Sequence, residues 1–367
     1  RKIDILLFKS LKEREATVLT GVRRSGKTTI MYQMVDLLLK QFKSDQVLYI
    51  NLDDEFLKKQ TLEEIYNFYR QTKNPSEHAF LFLDEIQNIA QWESFIKKHH
   101  DLKENVKFII SGSSASLLKG EYSTLLTGRN LTFNIWPLSF LEFLDFGKID
   151  NNGATTAKNR LISELSNYLE YGGFPEVYFK DKEIKRLLLK QYFDDIIYKD
   201  IVSRHNVNAQ KITDLAVYLL TNTSNPFTVR KIRNFTGLSL DSIKDYISYL
   251  QDSYIIATLD SFSYSPNEKH RAVKKSYAID TGIRNIAGYI FSRDTGRLAE
   301  NKILCELKRQ NKQIFYWKSL RQHEVDFVVK DKILTAINVS YTDNINKRET
   351  DALLEFNEKY KTKQLIL

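Results

Sequence analysis

The chain has 367 residues, enough for two or three domains rather than one core. Its apolar content of 42% and charged content of 28% are those of a folded protein and exclude a disordered one. The formal charge of +9 suits nucleotide or nucleic-acid partners, although a basic surface is also a common aid to solubility. The single cysteine, Cys305, excludes an internal disulfide, and no apolar run approaches the ~18 residues of a membrane span. We therefore expect a cytoplasmic protein with no membrane partner.

The segment from Arg1 to Leu144 alternates short apolar runs with amphipathic stretches. The predicted strands are Thr17–Thr20, Val47–Leu52, Ala79–Leu83, Val106–Ile110 and Leu131–Ile135. Strands that alternate with helices are typical of a parallel sheet covered by helices on both faces. We predict an α/β domain over residues 1–147, followed by a polar linker over 148–159.

Between the first predicted strand and a predicted helix lies Gly21–Thr28, which matches the phosphate-binding pattern G-x-x-x-x-G-K-S/T in full. Backbone N–H groups of such a loop and of the following helix N-terminus point at phosphates. Lys27 would reach the outer phosphates, and the Thr28 hydroxyl would bind Mg²⁺. The residues assigned to nucleotide contacts are Gly21, Arg23, Arg24, Ser25, Gly26, Lys27, Thr28 and Thr29. The motif predicts a P-loop site for a nucleoside triphosphate with Mg²⁺.

Two carboxylates, Asp84 and Glu85, follow a buried-type strand one strand–helix cycle after the P-loop. Asp84 is placed to hold Mg²⁺ directly or through water, and Glu85 to orient and polarise the water that attacks the γ-phosphate. Taken alone, an acidic pair at this point is more often a solvated strand end. Its position relative to Lys27 favours the catalytic interpretation, which predicts hydrolysis of ATP rather than binding alone.

Small polar residues end the next predicted strand, and an arginine follows it. Ser113 is the first choice for a contact to the γ-phosphate or the attacking water, and Ser111 the second, with a plain loop N-cap left open. Arg129 has two interpretations. It either completes the site of a neighbouring subunit in a homo-oligomer, where it would stabilise charge on the phosphoryl group, or it orders its own loop.

The second half of the chain starts with a helical pattern over residues 158–220, broken at Gly172–Pro175. Residues 221–265 have helix-turn-helix spacing, with helices at Thr228–Phe235 and Leu240–Gln251 and a wing strand at Tyr254–Leu259. Residues 266–275 are expected to form a basic loop. The last section, 276–367, has the order helix, three strands, helix, strand from residue 296 onward.

Several short motifs occur in one order along nearly the whole chain and together carry a family resemblance. They are Gly21–Thr28, Leu83–Gln87 followed by Trp92, Ser111–Ser114, Thr127–Arg129, Pro137–Phe140, Gly172–Glu176, Tyr277–Gly282 and His323–Phe327. In these motifs the chain resembles the prokaryotic AAA+-superfamily ATPases whose C-terminal part is the domain of unknown function DUF4143. The resemblance implies an AAA+-like sheet in which another strand separates the P-loop strand from the Asp84 strand. It also implies a helical lid, a winged helix and a C-terminal domain like the PD-(D/E)XK nucleases.

A winged helix beside an ATPase suggests DNA as a partner, but the second helix of this motif is a poor reader of bases. It carries Asp241 and Asp245 against only Lys244, whereas groove-reading helices present Arg, Lys, Asn or Gln. The basic residues lie elsewhere, at Arg230, Lys231, Arg233, Lys269, Arg271, Lys274 and Lys275. We predict contact with the DNA backbone rather than sequence reading. The alternative is an ATP-driven regulatory switch that binds a protein, with the winged helix as a packing module.

In the C-terminal section, Glu300 and Asp326 match two positions of the nuclease pattern. The third element, Glu-x-Lys, is replaced by Asn338-Val339-Ser340, which offers neither the carboxylate nor the ammonium. Glu324 would substitute for the missing carboxylate only if its strand is regular. We therefore expect a nuclease-like fold without nuclease activity.

Overall fold

A computed structural model describes residues 5–115, 125–149, 155–265, 272–289, 294–342 and 344–367. The chain forms two compact units, Arg1–Pro137 and Leu138–Leu367, which are described separately here. The subdivisions predicted within the second unit stay predictions. Lys269 and Arg271 lie outside the described residues.

The first unit is built on a five-stranded parallel sheet. Its strands are β1 Ala16–Thr20, β2 Val47–Asn51, β3 Ala79–Asp84, β4 Val106–Gly112 and β5 Asn130–Asn134. Their spatial order is β2-β3-β4-β1-β5, and every neighbouring pair is parallel. All five predicted strands are confirmed, and β4 separates the P-loop strand from the Asp84 strand as the resemblance implies. The carboxyl ends of β1, β3 and β4 therefore meet at one edge of the sheet.

Helices cover both faces of this sheet. They are α1 Ile5–Lys9, α2 Lys27–Leu38, α3 Leu62–Thr72 and α4 Trp92–Asp101. Because successive side chains of a strand face opposite sides, Val18 and Leu81 join the core under α3 and α4 while Leu19 and Phe82 join the core under α2. The strands β1, β3 and β4 are buried at every position, which explains their continuous apolar sequence.

The second unit begins with helices. They are α5 Phe140–Phe146, α6 Thr155–Tyr171, α7 Lys182–Asp195, a π-helical continuation Ile196–Val202, the single turn α8 Ser203–His205, and α9 Ala209–Thr221. The predicted linker is too long, because α6 already begins at Thr155. The predicted break after α6 is confirmed: Gly172 has φ +76°, and a Cβ there would lie 1.9 Å from Asp280 Oδ1. The next amide, Gly173 N–H, donates to Asp280 Oδ2 at 2.8 Å.

Two further helices and a small antiparallel sheet follow. They are α10 Val229–Thr236, α11 Leu240–Asp252, β6 Pro226–Phe227, β7 Ile256–Leu259 and β8 Lys274–Ala278, with the strand order β6-β8-β7. The two predicted helices and the strand after them are confirmed, and Gly237 ends α10 with φ +68°. The winged-helix interpretation stays a prediction. The expected loop is wrong at its end, because Lys274 and Lys275 belong to β8.

The last part of the unit has the predicted order of elements. Its helices are α12 Thr281–Ala287, α13 Thr295–Arg309 and α14 Lys347–Tyr360, and its strands are β9 Gln313–Lys318, β10 Glu324–Lys330, β11 Leu334–Ile337 and β12 Gln364–Ile366. The sheet order is β12-β11-β10-β9, with β11 and β12 parallel and the other pairs antiparallel. Phe356 of α14 packs against Trp317 and Val328. Nowhere in the described ranges is a helix both long and apolar enough to cross a bilayer.

Candidate functional site

The loop between β1 and α2 can be formed only with glycine at two positions. Gly21 has φ +144°, and a Cβ there would lie 2.1 Å from the carbonyl oxygen of Ile135. Gly26 has φ +99° and immediately precedes α2, with no side-chain cap from its own position. The first N–H groups of α2 have no acceptor inside the helix, so they and the helix dipole favour an anion.

Lys27 lies against this loop. Its side chain is buried, and its ammonium donates to the carbonyl oxygens of Gly21 at 2.9 Å and Val22 at 3.2 Å. A phosphate oxygen is a stronger acceptor than a peptide carbonyl, because its hydrogen bond with an ammonium is charge-assisted. The ammonium is thus placed at the loop that would surround the phosphates of a bound nucleotide.

Asp84 is the centre of a buried group of hydroxyl donors. The Thr28 hydroxyl donates to Asp84 Oδ2 at 2.7 Å, and the Tyr49 hydroxyl donates to the same oxygen at 2.8 Å. The Ser111 hydroxyl donates to Asp84 Oδ1. Burial, hydrogen bonding to Tyr32 and the charge of Asp84 raise the pKa of Tyr49, so its phenol stays a donor at neutral pH. The P-loop helix and the ends of β2, β3 and β4 are joined by this one carboxylate.

This donor set fits Mg²⁺. The Thr28 hydroxyl and the Asp84 carboxylate are hard oxygen ligands that lie 2.7 Å apart beside the start of α2. Mg²⁺ is usually bound by one or two protein oxygens together with water and substrate phosphates. The pair therefore suits a magnesium ion that arrives with a nucleotide.

Glu85 has an unusual backbone conformation. Its φ is +56°, in the left-handed region that non-glycine residues rarely adopt, and such conformations concentrate at functional sites. Its amide donates to Ser111 Oγ at 3.2 Å, and the Gln87 side-chain amide donates to its carboxylate oxygen Oε2. Ser111 thus holds the backbone of Glu85 and Gln87 holds its half-buried carboxylate, one residue beyond Asp84.

The remaining residues assigned to the site are spread around the loop. Ser113 is fully buried just beyond β4, but the contact to Asp84 is made by Ser111, the second choice. Arg24 is exposed with φ +69°, Arg23 is half-buried, and Thr29 is exposed in the first turn of α2. Their nucleotide contacts stay predictions.

Arg129 is held by a residue of its own chain. Its Nε donates to Asp101 Oδ1 at 2.7 Å and its Nη2 to Asp101 Oδ2 at 3.1 Å, and Nη1 donates to the carbonyl oxygen of Thr127 at 3.3 Å. These contacts fix the turn before β5 against the end of α4. They match the second interpretation, in which Arg129 orders its own loop, and the role toward a neighbouring subunit stays a prediction.

The residues predicted to contact DNA differ in exposure. Arg230, Lys231 and Arg233 are exposed on α10. Lys274 is 53% exposed and pairs with Asp260 at 3.1 Å. The assignment of Lys275 is wrong: its side chain is 1% exposed, because the alternation of β8 turns it inward.

Lys275 instead lies among the carboxylates of the nuclease-like part. Its ammonium is 3.1 Å from Glu300 Oε1, 2.5 Å from Glu324 Oε1 and 4.0 Å from Asp326 Oδ1. Burial and the charge of Glu300 raise the pKa of Asp326 to about 7, although Lys275 opposes the shift. The premise that this site lacks an ammonium is therefore wrong: Ser340 does not supply one, but Lys275 does.

Asn338 is committed to the backbone beside this cluster. Its carbonyl oxygen accepts from the amide of Asp326 at 2.9 Å, and its amide donates to the carbonyl oxygen of Glu349 at 2.9 Å. Asp326 Oδ2 in turn accepts from the amide of Val339 at 2.9 Å. Among the residues that the structure describes, no group of three or more acidic, histidine or cysteine side chains has the arrangement of a metal site.

Three family models match the chain in succession. An AAA domain matches residues 13–144, the domain of unknown function DUF8612 matches residues 162–294, and DUF4143 matches residues 295–367. The AAA match includes every residue of the site from Gly21 to Arg129. The first and third matches confirm the resemblance stated from the sequence motifs.

Two sequence relatives extend the likeness along nearly the whole chain. The uncharacterized protein MJ1544 of Methanocaldococcus jannaschii is 36% identical over 364 residues, which cover 96% of this chain and 79% of the relative. An uncharacterized protein of Haemophilus influenzae is 31% identical, covering 94% of this chain and 87% of the relative.

Solved structures show a weaker likeness. The Aeropyrum pernix Orc1 protein in complex with DNA has a TM-score of 0.35 at 12% identity, covering 82% of this chain and 92% of that one. AMPPCP-bound DnaA from Aquifex aeolicus has a TM-score of 0.31 at 16% identity, covering 67% and 86%. These values are too low to support an argument about function.

Proposed function

Because this chain belongs to the family of AAA-domain proteins with a C-terminal DUF4143 domain, we propose that it binds and hydrolyses ATP at the site of Lys27, Thr28, Asp84 and Glu85. One observation carries the proposal: the 2.7 Å hydrogen bond from Thr28 to Asp84. It joins the phosphate-binding helix to the strand end that bears the candidate base. Binding and chemistry then meet at one edge of the sheet.

Binding depends on the P-loop. Backbone N–H groups at the start of α2 hold the phosphates, and the Lys27 ammonium exchanges its carbonyl acceptors for phosphate oxygens. Thr28 and Asp84 would hold Mg²⁺, which would supply positive charge to offset the negative charge of the phosphates. Tyr49 and Ser111 keep the Asp84 carboxylate in one orientation, since both donate to it.

Hydrolysis depends on Glu85. Its carboxylate orients a water molecule toward the γ-phosphorus and accepts a proton from it as the new P–O bond forms, while the bond from the γ-phosphorus to the bridging oxygen breaks and ADP leaves with that oxygen. Gln87 and the Ser111 hydroxyl hold Glu85 from its side chain and its amide. Lys27 stabilises the charge that develops on the transferred phosphoryl group.

The test separates binding from chemistry. We expect Lys27→Ala to abolish binding of a fluorescent ATP analogue, while the exposed control Lys40→Ala binds normally. Glu85→Gln should bind ATP as the parent does and lose about 10²- to 10⁴-fold in turnover, the usual contribution of a general base. Glu55→Gln, another exposed glutamate of the same unit, is its control. Parental turnover in Glu85→Gln would remove Glu85 from the mechanism.

We further propose that the protein works on DNA through its phosphate backbone. The support is the exposed cationic group of α10, Arg230, Lys231 and Arg233. The acidic residues of α11 would repel phosphates, so contact is expected from α10 and without base reading by α11. Duplex DNA should accelerate phosphate release, and replacing all three residues by glutamine should remove that effect without changing the basal rate. If duplex DNA neither binds nor stimulates the parent protein, the alternative of a protein-binding ATP switch replaces this proposal.

A further inference from the structure

The second unit contains a cavity of about 600 Å³ that belongs to neither the nucleotide site nor the Lys275 cluster. It lies where α6, α12 and the start of α13 meet, and its walls include Leu169, Tyr171, Arg284, Thr295 and Leu298. A volume of this size is typical of sites for small organic ligands. The chemical class of ligand that this cavity would bind depends on the charged and polar side chains that line it.

Among the residues that line the cavity, Arg284 says most about the charge of a ligand that would fit it. Its side chain is 4% exposed, and its one hydrogen bond within the described residues runs from Nη1 to Asn285 Oδ1 at 3.0 Å. Its Nε is buried without an acceptor, and burial lowers the pKa of the guanidinium. A buried cation is costly unless a negative charge accompanies it.

The two carboxylates that line the cavity already have other partners. Glu170 pairs with Arg186 at 3.7 Å, and Asp294 pairs with Arg297 at 2.9 Å. Asp294 attracts Arg284 only at longer range, and Arg297 offsets part of that attraction. Among the described residues, Arg284 is therefore a buried cation in a cavity wall without an ion pair of its own.

Two more groups in the wall favour an anion. Asp294 is the N-cap residue of the 15-residue helix α13, but its side chain makes no capping hydrogen bond. The first amides of that helix, from Thr295 onward, therefore receive no acceptor from the Asp294 side chain. The Tyr171 hydroxyl is also buried in this wall, where burial and the neighbouring Glu170 carboxylate raise its pKa, so it stays a hydrogen-bond donor at neutral pH. The cavity lining thus combines a buried guanidinium, a phenol and the start of a helix.

We propose that this cavity binds a small organic anion. Its carboxylate or phosphate group is held by Arg284, the Tyr171 hydroxyl and the amides at the start of α13. Its apolar part contacts Leu169, Ile286 and Leu298. The site is in the second unit and does not depend on the proposed ATPase function.

The experiment uses the full chain with Lys27→Ala, which weakens anion binding at the P-loop. Thermal unfolding is followed while inorganic phosphate or succinate replaces chloride at constant ionic strength. We expect one of the two to raise the unfolding temperature, and the one that does identifies the preferred anionic group. Titration calorimetry with that anion gives the dissociation constant.

Arg284→Met should raise this dissociation constant at least about tenfold, as expected for a lost charged hydrogen bond. Arg160→Met, at an exposed arginine of α6 outside the lining of the cavity, is the control and should change it less than about twofold. In chloride alone, Arg284→Met should unfold no earlier than the parent, because it removes an uncompensated buried charge. Tyr171→Phe keeps the ring and should weaken anion binding without altering the unfolding temperature in chloride.

Two results would overturn the proposal. One is a parent protein that responds to neither anion. The other is an equal response in the parent, Arg284→Met and Tyr171→Phe, which would place the anion elsewhere. If Arg284→Met does not fold, Tyr171→Phe alone decides, because its ring packing is unchanged.

Discussion

Arg129 and Asp101 form a two-point ion pair within one chain, with Nε–Oδ1 at 2.7 Å and Nη2–Oδ2 at 3.1 Å. The pair is planar and bidentate, the strongest geometry available to these side chains. A role for Arg129 in a neighbouring subunit therefore requires the guanidinium to exchange Asp101 for phosphate. The two partners can be removed one at a time.

If Arg129 acts on a neighbouring subunit, Arg129→Ala should bind ATP normally but lose up to about 10³-fold in turnover, as expected for an arginine that stabilises the transferring phosphoryl group. Asp101→Asn keeps the arginine and should retain most of the activity. Mixing Arg129→Ala with Glu85→Gln should restore some turnover at shared interfaces. Equal, small losses in Arg129→Ala and Asp101→Asn, with no rescue on mixing, would assign Arg129 to its own loop.

Tyr49 should matter for turnover although it is not part of the P-loop. Tyr49→Phe removes one donor to Asp84 and keeps the ring contact with Tyr32, at 4.7 Å between centroids. A hydrogen bond to a charged group contributes about 1.5–3 kcal/mol, so we expect a fall in turnover of about tenfold or more. Tyr69→Phe, which removes a tyrosine hydrogen bond to the carbonyl oxygen of Asp45 elsewhere in the same unit, is the control. Rates measured across Mg²⁺ concentrations would show whether the loss lies in metal binding or in the chemical step.

Lys275 and Lys274 are adjacent lysines with opposite surroundings. Lys275→Met leaves Glu300, Glu324 and Asp326 without their shared cation and should destabilise the protein by about 3–5 kcal/mol. Lys274→Met removes only a surface pair with Asp260 and should change the unfolding free energy by less than about 1 kcal/mol. Urea unfolding of the two variants is the measurement. Similar values for both would mean that the buried network contributes little.

The raised pKa of Asp326 predicts a pH dependence of stability. Between the unfolded value near 3.8 and the folded value of about 7, the folded state holds a proton that the unfolded chain releases. The contribution of this group is present at low pH and is lost as the pH rises through about 7. Asp326→Asn should reduce the difference in unfolding free energy between pH 5 and pH 8. An unchanged difference would assign the pH effect to other groups, such as Glu300.

We predict that the protein does not cut DNA with Mg²⁺ or Mn²⁺. The ammonium of Lys275 already pairs with the carboxylates of Glu300 and Glu324, and the Asn338 amide is committed to backbone partners. A divalent ion would have to displace a 1% exposed lysine. The assay is nicking of supercoiled plasmid. Metal-dependent nicking that disappears in Asp326→Ala would make the protein an ATP-dependent nuclease.

The strands and the P-loop were predictable because each depends on local sequence. β1, β3 and β4 are buried on both faces and therefore read as continuous apolar runs. Gly21 is a glycine because its φ angle and its close approach to Ile135 leave no room for a side chain, and Gly26 because its φ angle is one that other residues rarely adopt. Such requirements are visible in a single sequence.

Tyr49, Gln87 and Lys275 were missed because their roles depend on neighbours far along the chain. Tyr49 reaches Asp84 only because β2 lies beside β3, with Asn51 opposite Asp84 in register. Lys275 looked like part of a basic loop, since a buried lysine next to the exposed Lys274 leaves no hydropathy signal. The contact between Ser111 and Asp84 was also missed. Ser111 and Ser113, the two candidates for a contact to the γ-phosphate or the attacking water, are two residues apart, so strand alternation alone could not rank them.

The contacts of Asp280 predict which fragments of the chain can fold when they are expressed alone. Asp280 accepts from the Gly173 amide at 2.8 Å, and Lys302 lies 3.5 Å from the same carboxylate, on the far side of the boundary between the two C-terminal family models. A fragment that starts at residue 295 would contain Lys302 without the Asp280 carboxylate that balances its charge. A fragment that stops at residue 294 would contain Asp280 without Lys302 beside it. The two sequence families are therefore halves of one folding unit, and soluble protein is expected only from clones that keep both.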